Sequence, residues 1–168
     1  MTPPPGPLDR KVLAIAELVA RHGRPRNDRL VFTNGCFDIL HRGHVEYLAA
    51  ARALGDTLVV GLNTDASVAR LKGPHRPYAP LEDRAAVLAA LASVDVITPF
   101  GADTPRALIA ALLPDVLVKG GDYTPEEMVG REEIQAAGGE VVVVPYLPGR
   151  STTELVGRIR RTETPPSE

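Results

Sequence analysis

Five short apolar runs constrain this chain more than any other feature. They are LVFTN at 30–34, TLVVG at 57–61, VDVIT at 94–98, DVLVK at 115–119 and EVVVV at 140–144. Each is rich in valine and none shows clean polar alternation, the pattern of parallel strands buried on both faces. The stretches between them carry helical spacing. In 43–55, Val45, Leu48, Ala49 and Ala51 are expected to face the sheet, with Gly55 closing the helix. In 81–91 the matching stripe is Leu81, Ala85, Leu88 and Ala89. Thr104-Pro105 and Thr124-Pro125 each offer an N-cap hydroxyl followed by proline at the first helical position. Thr124 with Glu127, and Ser151 with Glu154, match a capping box. An opening helix is expected over about 8–21. Strands alternating with helices predict an α/β fold: a doubly wound, Rossmann-like, five-stranded parallel sheet with helices on both faces. A single domain is expected over 8–161, with frayed tails at 1–7 and 162–168.

Composition narrows the function classes. A formal net charge of -2 gives no footprint for broad nucleic-acid binding. Cys36 is the only cysteine, so an intramolecular disulfide and a cysteine metal cluster are both excluded. The start MTPPPGPLDRK has no apolar stretch suited to a signal peptide, and no run approaches the roughly 20 apolar residues of a membrane span. A cytoplasmic enzyme without a membrane partner is the expectation.

In doubly wound sheets, ligands sit beyond the carboxyl ends of the strands, where strand order reverses. That rule selects the segments 34–44, 63–76, 119–123 and 145–153. The first reads NGCFDILHRGH, with His41 and His44 flanking Gly43 at the opening of a helix. Residues spaced this way share a helix face, so both imidazoles can address one ligand. The helix start adds unpaired N–H groups and partial positive charge, and Gly43 permits close approach of a phosphate. Structural readings stand beside this one. Histidines at such spacing also occur as surface or packing residues, Asp38 suits a turn, and Asn34-Gly35 is a turn dipeptide. Cys36 reads as a small packed residue. A zinc site would need ligands beyond His41 and His44, and His22, His75 and Cys36 are the only other histidines and thiol. The absence of G-x-G-x-x-G after the first run argues against a dinucleotide-binding module.

TNGCFDILHRGH resembles the H-x-G-H signature of the cytidylyltransferase-like nucleotidyltransferases. With RLKGPHRPYAPLEDR, LVKGGDY and GRSTTELV, in that order, the chain is most similar to the adenylyltransferase domain of enzymes that make ADP-heptose. The likeness covers about 30–160. It implies transfer of AMP from ATP to D-glycero-β-D-manno-heptose 1-phosphate with release of pyrophosphate. A glycerol-3-phosphate cytidylyltransferase is the alternative within the class, and a non-catalytic nucleotide-binding module the alternative outside it.

The resemblance implies that His41, His44 and Lys72 stabilise charge on the triphosphate. Asn34, Gly35, Phe37, Asp38 and Gly43 would line the nucleotide site, with Phe37 read equally well as core. Arg84, Asp122, Ser151, Thr152 and Thr153 would add nucleotide contacts. Lys72, Lys119 and Gly120 would meet the sugar phosphate. Each has a structural alternative: a solvated lysine, helix-end ion pairing for Arg84, a turn for Asp122, a capping box for Ser151. Glu154 stands where many relatives carry lysine, so that phosphate contact is not implied here, and Arg150 is placed to replace some of the charge. Mg²⁺ is expected to accompany ATP, without a dedicated metal cage. Many heptose adenylyltransferases are fused to a kinase domain; this chain is expected to take its sugar phosphate from a separate kinase. A homodimer is implied by the likeness alone.

Overall fold

A computed structural model describes residues 9–121, 124–145 and 152–162. Five parallel strands form one sheet: β1 (Leu30–Gly35), β2 (Thr57–Asn63), β3 (Val96–Phe100), β4 (Val116–Gly120) and β5 (Glu140–Val144). Their order is β3-β2-β1-β4-β5, so the chain winds outward from β1 in one direction, then crosses back and winds outward in the other. The reversal falls between β1 and β4, which pair at Val31 with Val116 and Phe32 with Leu117. The helices are α1 (Ile15–His22), α2 (Arg42–Arg52), α3 (Asp65–Lys72), α4 (Leu81–Ala89), α5 (Arg106–Leu112), α6 (Arg131–Ala136) and α7 (Thr152–Thr162).

Alternate residues of each strand feed two separate cores. Leu30 and Phe32 join Val59, Leu117 and the inner sides of α1, α5 and α6 through Leu18, Ile109 and Ile134. Val31 joins Leu58, Val60, Val116 and the inner sides of α2 and α4 through Leu48 and Leu88. Strands apolar on both faces are the direct consequence of cover on both sides. β5 departs from that expectation: its valines are only half-buried, because it is an edge strand.

Local differences from the sequence reading have physical causes. The third and fourth strands begin at Val96 and Val116, just after an aspartate. Asp95 accepts the Leu58 amide at 2.8 Å, and Asp115 accepts the Leu30 amide at 2.8 Å. Each carboxylate thereby occupies the ladder position before its own strand. The expected opening helix is broken: a short 3₁₀ turn covers Asp9–Lys11 and α1 starts only at Ile15. Between them Val12 bridges to Ile97 as a further parallel pairing, and the Leu13 amide donates to the Ile97 carbonyl at 2.9 Å. On α2 the buried side runs through Gly43, Tyr47, Leu48 and Ala51, whereas Val45 and Ala49 face solvent. Tyr47 replaces them because its hydroxyl bonds Thr33 Oγ1 at 2.5 Å inside the protein. Pro105 rather than Thr104 takes the N-cap of α5, with no side-chain cap. Thr124 does share a capping contact with Glu127, whose carboxylate accepts the Thr124 amide at 2.9 Å. It opens a 3₁₀ turn over Pro125–Glu127, not an α-helix. The Ser151 half of the second box lies outside the described residues.

One polar cluster ties the amino-terminal side of the sheet together. Asp115 receives Arg24 at 3.0 Å and Arg26 at 2.9 Å in addition to the Leu30 amide. The two guanidinium groups also reach the carbonyls of Leu112, Leu113 and Ala137. Burial alone would raise the Asp115 pKa, but the Leu30 amide and the Arg26 and Arg24 charges outweigh it and hold the carboxyl below its ordinary range. The stability gained is therefore present above the ordinary carboxylate pKa and drains as pH falls through the lowered value. Asp115→Asn should cost about 1–3 kcal/mol in denaturant unfolding at neutral pH. It should also flatten the acid limb of the stability curve; an unchanged acid limb would contradict the lowered pKa.

Candidate active site

A cavity of about 520 Å³ opens at the carboxyl ends of β1, β2 and β4, the position the order reversal dictates. Asn34 and Gly35 end β1 on its wall, Asn63 ends β2, and Lys119 and Gly120 end β4. The loop after β1 contributes Cys36, Phe37 and Asp38, while α2 contributes His44 and Tyr47. Lys72 and Arg76 close one side and Thr152 and Thr153 of α7 another.

The turn from β1 into α2 is shaped by its own side chains. Phe37 adopts φ 44°, in the left-handed region that costs a non-glycine residue about 1–2 kcal/mol. Its ring is nearly buried and tilts against His44 with centroids 5.4 Å apart. A Cβ at Gly35 would stand 3.0 Å from that ring, so the glycine leaves the space into which Phe37 folds. Phe37 thus belongs to the core and to the cavity wall together. Asp38, also buried, accepts Arg76 Nε at 2.5 Å and the amides of Tyr78 and Ala79 at 2.7 and 3.0 Å. Its carboxylate is spent on holding the 76–79 segment.

His41 is the N-cap of α2 in extended conformation, and its carbonyl accepts the His44 amide at 2.9 Å. The two rings stack with centroids 3.9 Å apart. His44 stands on the cavity wall, and His41 stacks against it. The spacing that brings both imidazoles to one place sets them in a stack at the start of the helix. His44 Nδ1 is buried without a hydrogen-bond partner among the described residues. Burial, then the neighbouring His41, lower the His44 pKa to about 4. The ring is neutral at physiological pH and donates through one nitrogen only.

Two lysines join Arg76 in supplying the positive charge on the wall. Lys119 Nζ donates to the Asn34 carbonyl at 3.3 Å and to Asn34 Oδ1 at 2.9 Å, which fixes the ammonium at the end of β1. Burial pushes its pKa down, and the neighbouring Lys72 charge adds to the effect. Lys72 ends α3 on the exposed rim. Burial pushes the Cys36 thiol up against the charges of Lys72, Arg84 and Arg76, so it stays protonated on the wall. Thr152 reaches the Ile39 carbonyl at 3.4 Å, linking the start of α7 to the β1–α2 loop.

Other expected site residues fall elsewhere. Arg84 does not line the cavity: it is buried behind the loop, donating to the carbonyls of Ala79 and Cys36 at 3.0 and 2.7 Å and to Asp65 at 2.6 Å. A guanidinium with those three partners is a strut for the loop. Gly43 is buried in the first turn of α2, off the wall. Asp122 and Ser151 lie outside the described residues. Conversely, the sequence reading passed over Tyr47, Arg76, and the walls made by Asp103, Thr104 and Pro105 and by Glu127, Met128 and Val129. The rule that located the other loops also applied to the segment after β3, so Asp103 and Thr104 were within reach; the 127–129 wall had no such signal. Among the described residues, no three of His, Cys, Asp and Glu gather as a metal site.

The profile of the cytidylyltransferase-like family matches residues 32–157, from β1 into α7. The chain belongs to this family. It is accordingly a nucleotidyltransferase, and the lining residues of the cavity fall within the matched span. The bifunctional protein HldE of Halorhodospira halophila is 59% identical over 140 residues, covering 83% of this chain and 29% of that protein. HldE of Chromohalobacter salexigens is 55% identical over 154 residues, covering 92% and 32%. The chain therefore spans about a third or less of the length of these curated relatives. The lipopolysaccharide core biosynthesis protein of Thermoplasma volcanium superposes with a TM-score of 0.58 at 29% identity, covering 72% of this chain and 98% of that one. Pantoate-beta-alanine ligase of Francisella tularensis, at 13% identity and a TM-score of 0.59 over 91% of this chain and 78% of that one, shares the fold alone. No helix among the described residues is long and apolar enough to cross a membrane.

The neutral state of His44 is directly testable. In the ligand-free protein its ring resonances should titrate with a midpoint near 4. A bound polyphosphate should raise that midpoint by favouring the protonated ring. An unliganded midpoint at the ordinary histidine value would show that the ring is not shielded as described.

Proposed function

We propose that this nucleotidyltransferase transfers AMP from ATP to D-glycero-β-D-manno-heptose 1-phosphate, giving ADP-heptose and pyrophosphate. The observation that carries the reading is the gathering of His44, Lys72, Lys119, Thr152 and Thr153 around one cavity at the strand-order reversal. The HldE relatives, 55–59% identical, support the choice of sugar phosphate, and so does the likeness of RLKG, KGGDY and GRSTTELV to the heptose adenylyltransferase domain.

In this reading an oxygen of the sugar phosphate attacks the α-phosphorus. A new P–O bond forms while the bond from the α-phosphorus to the bridging oxygen of the β-phosphate breaks, and pyrophosphate departs with the electron pair. The nucleophile is already anionic, so no strong base is needed and catalysis rests on position and charge. His44 donates one hydrogen bond to the triphosphate, held in register by the His41 stack. The free N–H groups opening α2 add their partial charge. Lys72, on a mobile stem at the rim, neutralises the five-coordinate phosphorus; Lys119, anchored by Asn34, meets the sugar phosphate. Thr152 and Thr153 present hydroxyls to the outer phosphates. Asn34, Gly35 and Phe37 shape the nucleotide wall.

The donor set suits Mg²⁺ delivered with ATP. Asp38 is already committed to Arg76, so the triphosphate oxygens and water would hold the metal, which neutralises phosphate charge when bound. A homodimer and a cytoplasmic location complete the proposal, the first open to light scattering.

A panel of ATP and CTP against heptose 1-phosphate and glycerol 3-phosphate, scored by pyrophosphate release, tests the assignment. Turnover is expected with ATP and the heptose phosphate; turnover confined to CTP and glycerol 3-phosphate would reject it. Tight ATP binding without turnover on any sugar phosphate would instead favour a regulatory module. His44→Ala should lower kcat by roughly 100-fold, about 3 kcal/mol of transition-state stabilisation, in a protein that still folds. Near-normal turnover would remove His44 from the mechanism.

A further inference from the structure

Several arginines in this protein are drawn into its interior polar network, and one is used differently from the rest. Arg24, Arg26 and Arg84 each place Nε and both Nη atoms on carbonyl or carboxylate oxygens. All three are structural struts with their donors consumed. Arg76 gives only Nε to the protein, to Asp38 at 2.5 Å, and its two Nη atoms have no partner among the described residues. The group is nonetheless fixed. Its own backbone amide donates to the Gly73 carbonyl at 3.1 Å, and the guanidinium carbon lies 4.6 Å from the centre of the Tyr78 ring. The side chain is 21% exposed and stands on the cavity wall.

A guanidinium oriented by a carboxylate at Nε, with its outer fork left open, is preorganised for a planar, two-oxygen anion. The position within the cavity narrows which anion. Lys119 lies near the end of β4, on one side of β1. Arg76 follows α3, which follows β2, and strand order puts β2 on the other side of β1. Asn63 and Lys72 line that half as well. Two phosphate-bearing substrates must meet in about 520 Å³. Each pair of unit charges 4 Å apart repels by about 1 kcal/mol in bulk water and about 4 kcal/mol near a protein surface. The acceptor phosphate therefore calls for more than the one lysine, Lys119, assigned to it above.

We infer that Arg76, oriented by Asp38, binds the phosphomonoester of the acceptor substrate through its open Nη fork; the assignment rests on the nucleotidyltransferase reading above. Asp38 then serves as a positioning residue that never touches substrate, in contrast to the nucleotide contact its motif implies.

The test uses the full chain and two readouts. In steady state, Arg76→Gln should raise KM for the sugar phosphate roughly 10- to 100-fold while the affinity for ATP, by calorimetry, stays within about twofold. Arg76→Lys keeps the charge but not the fork and should recover only part of the loss. Asp38→Asn should move the acceptor KM in the same direction with ATP affinity retained. Equal losses for both substrates, or an unchanged acceptor KM in folded Arg76→Gln, would overturn the inference. The second readout does not need turnover. Glucose 1-phosphate is titrated into the protein saturated with a non-hydrolysable ATP analogue. Binding in the wild type that is lost in Arg76→Gln upholds the inference even if the heptose reading fails. No binding to the wild type, or equal binding to both, refutes it even if that reading stands.

Discussion

A carboxylate taken out of water must be given donors, and Asp38 finds its three in a segment far along the chain. That compensation joins the loop after β1 to the segment between α3 and α4. Arg84 repeats the device from behind, its buried charge drawing together the Cys36 and Ala79 carbonyls and Asp65. Removing one member of such a pairing leaves an uncompensated buried charge, which costs more than the pair gains. The loop after β1 and the 76–79 segment are thus locked to one another by buried polar groups. Phe37 in its left-handed conformation is tolerated inside that lock, because the surrounding contacts decide its backbone.

The electrostatics follow from the same enclosure. Burial around the cavity keeps His44 neutral and pushes the Lys119 pKa down. A triphosphate entering it would reverse both tendencies, since a nearby anion favours the charged form of each. Binding and protonation are then linked, and the site becomes most positive when phosphate charge is present to be met.

The strands, their parallel sense and the place of the cavity were legible from the sequence because each depends on long-range burial written as composition. Valine runs without alternation mean cover on both faces, and the carboxyl-end rule then places the ligand. What escaped was set by contacts between distant residues. Val45 and Ala49 fit a helical stripe as well as Tyr47 does, and only the Thr33 hydroxyl decides which side turns inward. The opening helix breaks where Val12 meets Ile97, a partner no local pattern announces. In the site, His44, Lys72, Lys119, Thr152 and Thr153 were all named from the motif and all reach the wall. Of the others named from these segments, Gly43 and Arg84 are buried off the wall, and His41 stacks on His44. A motif records which residues a loop requires, and does not separate those that touch a ligand from those that hold the loop.

That distinction bears on how one fold serves different chemistry. The pantoate-beta-alanine ligase superposes over 91% of this chain at 13% identity, so the sheet and its reversal point tolerate almost complete change of sequence. In this protein the wall is assembled from several loops that follow strand ends, with some tips held by side-chain contacts such as Arg70 with Asp103 at 2.8 Å. Changing a tip residue such as Asp103 or Val129 alters what the cavity admits without disturbing a core strand. Changing Asp38 or Arg84 alters the separation of the walls themselves. Substrate choice is therefore expected to vary with the tips, and the capacity to act on a phosphate at all to persist with the struts.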